Sequence, residues 1–297
     1  MIHKTVLLHE AIDGLDLKAG DVFVDGTLGG GGHLEEVLRR FGNKISIVGI
    51  DLDEDAIKRT KSRIENLESN IKYAVGSFRD IDKILESLEI SKVDKVLLDI
   101  GLSSNQFEES GRGFSFQKNE PLIMSFKKDL TDEDLTAREI VNTWEAENIA
   151  TIIKSYGEEQ FSWKIAKAIV ASRELKPIET TFELVEIIKT ATPKWYHHKK
   201  IHPATKTFQA LRITVNDEIE SLKEGISKSF EYLNKEGRLA VISFHSLEDR
   251  VVKQFFREKE DALLAEKINK KPTVPTEEEI NENPRSRSPK LRILKKL

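Results

Sequence analysis

Two kinds of apolar pattern alternate along the N-terminal third of the chain. Short apolar runs typical of buried strands occupy Val22–Asp25, 46–50, 71–75 and Val93–Asp99. Segments with the spacing of amphipathic helices lie between them, at 33–40, 53–67 and 81–88. Strands that alternate with helices at these intervals predict a mostly parallel sheet with helices on both faces, which is an α/β fold.

The alternation stops near residue 108, and the apolar positions then follow a helical spacing as far as residue 205. Helices are expected over 132–144, 146–156, 161–175 and 181–190. Thr131 and Thr180 precede two of these segments and are followed by acidic residues, as helix N-cap residues commonly are. The pattern predicts an all-helical insertion over 108–205.

The α/β pattern resumes at residue 206 and continues to the end of the chain. It predicts a long helix over 216–233, a strand over 237–244, a helix over 247–258 and a final strand over 291–294. The polar segment 271–283 contains two prolines and is expected to be a loop. The α/β domain is therefore expected in two parts, 1–107 and 206–297, on either side of the helical insertion.

Composition narrows the classes of function. The 297 residues include 47 Lys or Arg and 51 Asp or Glu, a net charge of −4, so a nucleic-acid site would need a local basic patch. The absence of cysteine excludes disulfides, zinc–thiolate sites and iron–sulfur clusters held by thiolates. No apolar run approaches the roughly 18 residues of a membrane span. We therefore expect a cytoplasmic enzyme with no membrane partner.

A glycine-rich turn follows the first strand, and acidic residues stand where strands end. The turn occupies 26–32, after Asp25, while Asp51 and Asp99 close the second and fourth strands. Ligands of open α/β sheets bind at the carboxyl ends of the strands, where a carboxylate can accept hydrogen bonds from ribose hydroxyls. The dinucleotide and phosphate-loop fingerprints are absent, which favours a phosphate-free nucleoside such as S-adenosyl-L-methionine. The alternatives are a tight turn without a ligand and acids that cap the next element.

Several longer motifs extend this interpretation over nearly the whole chain. They include DGTLGGGGH at 25–33, GIDLDEDAI at 49–57, LLDIGLSSNQF at 97–107, HPATKTFQALRITVNDE at 202–218 and NPRSRSPKLR at 283–292. With these motifs the chain resembles the RsmH (MraW) family, which methylates the exocyclic N4 amine of a cytidine in the decoding region of 16S ribosomal RNA. The resemblance implies a Rossmann-like S-adenosyl-L-methionine-dependent methyltransferase fold with an inserted helical domain, and the small ribosomal subunit as partner.

The resemblance also implies which residues contact the cofactor. Matched by position, these are Gly31, Gly32, His33, Asp51, Phe78, Asp99 and Gln106. The sequence departs from the family at 121–125, where PLIMS stands in place of the usual PLDMR. Ile123 and Ser125 thereby replace an acid and an arginine. The departure leaves open a catalytically inactive RNA-binding assembly factor, and a methyltransferase acting on another RNA or DNA is a further alternative.

Asp99 is the candidate catalytic residue. A cytosine amine is a weak nucleophile because its lone pair is conjugated with the ring, and a hydrogen-bond acceptor aimed at the amine would favour its reactive geometry. Asp99 begins the sequence Asp-Ile-Gly-Leu rather than the Asp/Asn-Pro-Pro-aromatic motif of many amino-methyltransferases. That familiar arrangement therefore cannot be assumed here.

Contacts with RNA require cations for phosphates and flat side chains for unstacked bases. The candidate cations lie in family motifs and in the basic tail: Arg112, Lys206, Arg212, Arg250, Arg285 and Arg287. Phe107, Phe114 and Phe116 could stack on bases or belong to the core of the insertion. His197, His198 and His202 could suggest a metal site, since a spacing of four between His198 and His202 would suit a helix. Pro203 and the surrounding loop residues disfavour a helix there, so no metal is expected. His245 could line the site or cap the following helix. The oligomeric state is left open, with a homodimer as one alternative.

Overall fold

The computed structural model describes residues 5–64, 70–101 and 111–297, without the side chains of 284 and 285. The chain divides into two compact units. One comprises Met1–Gly101 with Ile219–Leu297, and the other comprises Leu102–Glu218. The described part of the first unit is α/β, and the described part of the second is predominantly helical.

The first unit is built on a seven-stranded sheet. Its strands are β1 (Val22–Asp25), β2 (Ser46–Asp51), β3 (Asn70–Val75), β4 (Val93–Asp99), β5 (Leu233–Ser243), β6 (Ala265–Lys267) and β7 (Lys290–Lys296). Their order is β3-β2-β1-β4-β5-β7-β6, and the first five run parallel while β7 is antiparallel to its two neighbours. The predicted mostly parallel sheet is confirmed.

Helices connect these strands and form the second unit. They are α1 (Leu8–Leu15), α2 (Gly32–Phe41), α3 (Glu54–Ile64), α4 (Ile81–Ser87), α5 (Ala137–Thr143), α6 (Ala146–Ser155), α7 (Ser162–Leu175), α8 (Thr181–Ala191), α9 (Thr205–Val215), α10 (Glu218–Tyr232), α11 (Ser246–Asp261) and α12 (Glu277–Glu282). Among the described helices none is long and apolar enough to cross a membrane.

Each face of the sheet has its own apolar core because successive strand residues point to opposite sides. Phe23 of β1 packs in a core with residues of α1, α2 and α3. The next residue, Val24, packs in a second core with residues of α4, α10 and α11. Burial on both faces explains why the inner strands β1, β2 and β5 contain apolar runs rather than alternating patterns.

The second unit has a separate core formed by α5 to α9 and the segment that precedes them. Buried side chains from all five helices contribute, among them Ile140, Ile153, Ile165, Leu184 and Leu211. Sequence analysis did not predict α9, and it placed the end of the insertion at 205. In the structure α9 supplies core residues to the helical unit, which extends to Glu218.

Local polar contacts explain where the predicted helices differ from the observed ones. Thr180 caps α8 with a reciprocal hydrogen-bond pair to Glu183, as predicted. The prediction of Thr131 as a cap was wrong, because α5 begins later with Thr136, whose hydroxyl accepts from the Glu139 amide. The prediction of a loop over 271–283 was wrong in part, because this segment contains α12, where Glu279 accepts a hydrogen bond from the amide of Leu7 at 2.9 Å.

Candidate active site at the carboxyl edge of the sheet

The glycine-rich turn that joins β1 to α2 is closely packed against its surroundings. Gly31 has a φ of +71°, and a Cβ added there would lie 2.5 Å from Cγ2 of Thr60. A Cβ on Gly32 would lie 1.9 Å from Oγ1 of Thr5. The amide of Leu28 donates to the carbonyl of Ile50 at 2.8 Å, which fixes the turn to the end of β2. These positions require glycine for conformation and for space.

Three aspartates lie at the carboxyl ends of neighbouring strands beside this turn. Asp25 ends β1 and its side chain is almost completely buried. The pKa of Asp25 is raised to about 7, mainly by burial. The charges of Asp99 and Asp51 add to this rise, and the hydrogen bond from the Thr27 amide opposes it. Because the charges of Asp51 and Asp99 act on Asp25, the three carboxylates lie close together, and the strand order has brought them into one site. The clustering predicted from sequence is therefore observed.

Asp51 ends β2 with both carboxylate oxygens turned towards backbone amides. Its Oδ2 accepts from the amide of Gly29 at 2.6 Å, and its Oδ1 accepts from that of Asp53 at 2.8 Å. Burial raises the pKa of Asp51, while these two hydrogen bonds oppose the shift. Each oxygen keeps a second lone pair, so the carboxylate can also accept from two vicinal hydroxyls. Leu52, beside it, has 49% of its surface exposed and offers an apolar surface at the rim.

Asp99 ends β4 and contacts both the turn and the start of α2. Its amide donates to Oγ1 of Thr27 at 2.6 Å, and its Oδ1 accepts from the amide of Gly101 at 3.3 Å. Its Oδ2 lies 3.9 Å from Nδ1 of His33, a buried residue in the first turn of α2. Burial raises the pKa of Asp99 to about 7. The structure thus brings together His33 and Asp99, two of the residues that the resemblance assigns to the cofactor.

Phe78 follows β3 in a single turn of 3-10 helix. A Cβ on Gly225 of α10 would lie 2.4 Å from Cδ2 of Phe78, and one on Gly26 would lie 3.4 Å from its Cβ. Phe78 therefore packs between the glycine turn and a glycine in the middle of α10. Pattern analysis missed Phe78, and the helical glycine at 225 is the signal that could have suggested a bulky ring nearby. Gln106 lies outside the described residues, as does Phe107.

Three of the candidate RNA-binding cations make contacts within the helical unit. Arg112 donates to the carbonyls of Phe126 and Lys127 at 3.0 and 2.9 Å. Arg212 forms two hydrogen bonds with the carboxylate of Glu218, at 2.8 and 2.9 Å. The Nζ of Lys206 donates to the carbonyl of Glu158 at 2.7 Å. Sequence analysis missed these structural roles.

The remaining candidates for RNA contact are three arginines of the first unit and two phenylalanines of the second. Arg250 and Arg287 are exposed in the first unit, and the side chain of Arg285 lies outside the described residues. Phe114 is buried and stacks on Phe126, which supports the core interpretation. Phe116 stacks on His202 with ring centroids 4.6 Å apart.

Histidines at two other positions have local polar partners. His197 is hydrogen-bonded through Nε2 to Oγ1 of Thr192 at 2.9 Å. His245 caps α11, where its side chain accepts from the amide of Glu248 and the Glu248 side chain accepts from the His245 amide. The helix-cap interpretation of His245 is thereby confirmed.

A sheet of this order, with a glycine turn and carboxylates at its carboxyl edge, defines a Rossmann-like methyltransferase of the class that uses S-adenosyl-L-methionine. The chain matches the MraW methylase family over residues 1–297 and belongs to that family. The predicted family and cofactor are thus confirmed.

Individual relatives carry more specific names. A protein from Clostridium botulinum strain Kyoto named ribosomal RNA small subunit methyltransferase H is 49% identical over 251 residues, which cover 84% of this chain and 80% of the relative. A protein of the same name from strain Hall is 47% identical with the same coverage. Among solved structures, an rRNA methylase from Streptococcus thermophilus has 14% identity and a TM-score of 0.47, covering 100% of this chain and 99% of that chain.

Proposed function

We propose that this methyltransferase transfers the methyl group of S-adenosyl-L-methionine to the exocyclic N4 amine of a cytidine in the decoding region of 16S ribosomal RNA. The single observation that carries the assignment is the set of three aspartates beside the glycine turn, because it combines a nucleoside-binding carboxylate with an acceptor for an amine. The names of the relatives support the small-subunit RNA as substrate. The reaction would take place in the cytoplasm, with ribosomal subunits as partner.

The chain's own residues fit an adenosyl ligand. The glycine turn lets the backbone approach closely, and Asp51 can accept from the two ribose hydroxyls while it keeps its bonds to Gly29 and Asp53. Leu52 and Phe78 offer apolar surface for the base. When bound, the cofactor supplies an electrophilic methyl group on a sulfonium, so the protein contributes positioning and electrostatics.

Asp99 is the residue that we assign to the target amine. Its backbone is fixed by Thr27 and its Oδ1 by Gly101, so Oδ2 is the oxygen that faces His33 and can accept from a substrate N–H. Only the ionised form accepts with full charge. Because burial raises the pKa of Asp99 to about 7 in the free protein, we expect kcat/KM to rise with pH through this region. The Asp99→Asn variant should lack that rise and be slower at pH 8.

The departure at 121–125 does not favour the inactive alternative. Ser125 is buried, and its hydroxyl accepts from the amide of Lys127 at 3.2 Å. Asn216 donates to the carbonyl of Met124 and accepts from the amide of Phe126, both at 2.7 Å. The segment is thus ordered without the charged pair that the family usually has there, and catalytic activity remains the proposal.

The test is methyl transfer to defined substrates. Purified protein, labelled S-adenosyl-L-methionine and small subunits from cells that lack this gene should give one methylated cytidine in the decoding region, located by nuclease digestion and mass spectrometry. Protein-free 16S RNA and DNA serve as comparison substrates. Transfer to another nucleotide would contradict the N4-cytidine assignment, and no transfer to any of these substrates would support the inactive assembly factor.

A further inference from the structure

Two segments of the helical unit carry an excess of positive charge that the net charge of the chain conceals. No Asp or Glu occurs from Phe161 to Arg173, or from Thr190 to Asn216. The first of these segments contains most of α7, and the second contains the turn 194–198 and α9. Aromatic contacts join the two segments, because Phe161 packs against Trp195 and Tyr196. Two acid-free segments therefore meet on one surface.

This surface presents an aromatic ring that the folded core does not cover, because Trp195 has 55% of its surface exposed. The ring of Trp195 is held edge-to-face by Phe161 and Tyr196, with centroids 5.9 and 5.8 Å away. Tyr196 is itself anchored, because its hydroxyl donates to the buried carboxylate of Glu159 at 2.5 Å. The Trp195 ring is thus exposed and yet fixed in orientation.

Lysines lie beside the Trp195 and Phe161 rings. The Nζ of Lys199 lies 5.1 Å from the centre of the Trp195 ring, and that of Lys164 lies 5.8 Å from the centre of the Phe161 ring. Within the described residues neither of these ammonium groups is paired with a carboxylate. The surface of Phe161, Trp195, Lys164 and Lys199, here called the tryptophan–lysine surface, therefore combines cations with flat rings.

We propose that the tryptophan–lysine surface binds a single-stranded segment of the substrate RNA, with a base stacked on Trp195 and backbone phosphates near Lys199 and Lys164. Stacking on a ring is available to every unpaired base, and lysines that lack an acidic partner can release counterions from phosphates. A ring already fixed by its neighbours loses little freedom when a base covers it. The inference rests on the proposed function, because it assigns a second contact to the same RNA.

The chemistry of the surface favours RNA over a protein partner. Protein interfaces are depleted of lysine and enriched in arginine beside their aromatic residues. This surface has a lysine beside Trp195, another beside Phe161, and no acidic residue in either contributing segment. A polyanion with flat groups at regular intervals matches both properties, whereas a protein helix would match only the aromatic part.

The experiment measures the affinity of the full chain for a fluorescein-labelled single-stranded RNA of about twelve nucleotides by fluorescence anisotropy. The Trp195→Ala variant should bind about 5- to 100-fold more weakly, as expected when one stacked base is lost. Trp195→Tyr should retain most of the affinity because the ring remains. Lys199→Gln should reduce the slope of log K against log salt by about 0.7, the share of one phosphate contact on a single strand.

Phe182→Ala is the matched control, because Phe182 is an exposed ring of the same unit and has no lysine over it among the described residues. Thermal melting verifies that all variants fold. Unchanged affinity of Trp195→Ala, or equal losses in Trp195→Ala and Phe182→Ala, would overturn the inference. The inference would also be overturned if Trp195→Ala bound assembled ribosomal subunits more weakly but bound free RNA as tightly as the unaltered protein does. That result would indicate a protein partner.

Methyl transfer by the unaltered protein separates this inference from the proposed function. A protein that methylates the cytidine normally but binds RNA independently of Trp195 contradicts only the tryptophan–lysine surface. A protein that fails to methylate it but depends on Trp195 for RNA binding contradicts only the proposed activity.

Discussion

Two groups of buried acids in the α/β unit have opposite electrostatic environments. At the carboxyl edge of the sheet, burial raises the pKa of both Asp25 and Asp99 to about 7. Elsewhere, hydrogen bonds from Arg39 and Arg40 hold the pKa of Glu36 at about 2. Burial alone would raise the pKa of Asp249, but hydrogen bonds from Arg292 and Lys290 outweigh it and lower the pKa.

The difference separates acids that stabilise the fold from acids that serve a ligand. Asp249 and Arg292 are 9% and 8% exposed and satisfy each other, so their interaction is complete without any other molecule. The acids at the sheet edge are held mainly by backbone amides of loops, which fix their position without neutralising their charge. A folded protein retains such unfavourable charges where they act on a substrate or cofactor.

The largest effect is expected at the paired acid. Asp249→Ala leaves the charge of Arg292 buried without its partner, and the free energy of unfolding should fall by about 3–5 kcal/mol. Urea unfolding at pH 7 measures the change, with the exposed Asp261→Ala at the end of α11 as control. The affinity of the folded variant for S-adenosyl-L-methionine should be unchanged. A loss below about 1 kcal/mol would show that the pair does not stabilise the fold.

Asp25, at the carboxyl edge of the sheet, should destabilise the fold when it is ionised, in contrast to the paired Asp249. The pKa of Asp25 is higher in the folded protein, at about 7, than its ordinary value of 3.8, so its ionisation opposes folding. Stability from this group is present at low pH and is lost as pH rises from about 4 to 7. Asp25→Asn removes that loss. The free energy of unfolding of this variant, relative to that of the unaltered protein, should therefore increase with pH by up to about 1.4 kcal/mol per pH unit across this range. Parallel pH curves from urea unfolding would contradict the comparison.

The smallest effect is expected at Glu36. Its pKa is lowered from 4.5 to about 2, so its contribution to stability is present above pH 4.5 and is lost as pH falls through 2. Arg39 is largely exposed, and solvent screening limits the contribution to about 1 kcal/mol. Glu36→Gln should therefore be about 1 kcal/mol less stable at pH 7, with the two curves of unfolding free energy against pH converging below pH 2. A gap of unchanged size below pH 2 would indicate a packing effect instead.

The features that follow from local sequence pattern are the ones that could be predicted from the sequence. β1 and β4 have their predicted bounds. Each contains consecutive apolar residues, 22–24 in β1 and 96–98 in β4, as expected for strands buried on both faces. Asp51 and Asp99 could be located because parallel strands end at the same edge. α9 was missed because its apolar residues face a core built from distant helices, and its helical spacing follows directly after Pro203 in a polar segment.

Long-range polar contacts were the part that local pattern could not reveal. Arg112 and Asn216 order the segment around Phe126 from positions far away in sequence, so neither role is visible in a window of neighbouring residues. The same holds for the packing of Phe78 against Gly225. Motif resemblance pointed to Phe78, and the structure shows that this side chain packs between Gly26 and Gly225.

Calorimetry of S-adenosyl-L-methionine binding to Asp51→Ala tests the central claim most directly, namely that the carboxylate at the end of β2 holds the nucleoside. We predict a loss of about 1.5–3 kcal/mol in binding free energy, the contribution of hydrogen bonds to a charged acceptor. Asp53→Ala is the matched control, because it keeps the backbone amide that donates to Asp51 and should retain nearly full affinity. Equal affinity of Asp51→Ala and the unaltered protein would contradict the account.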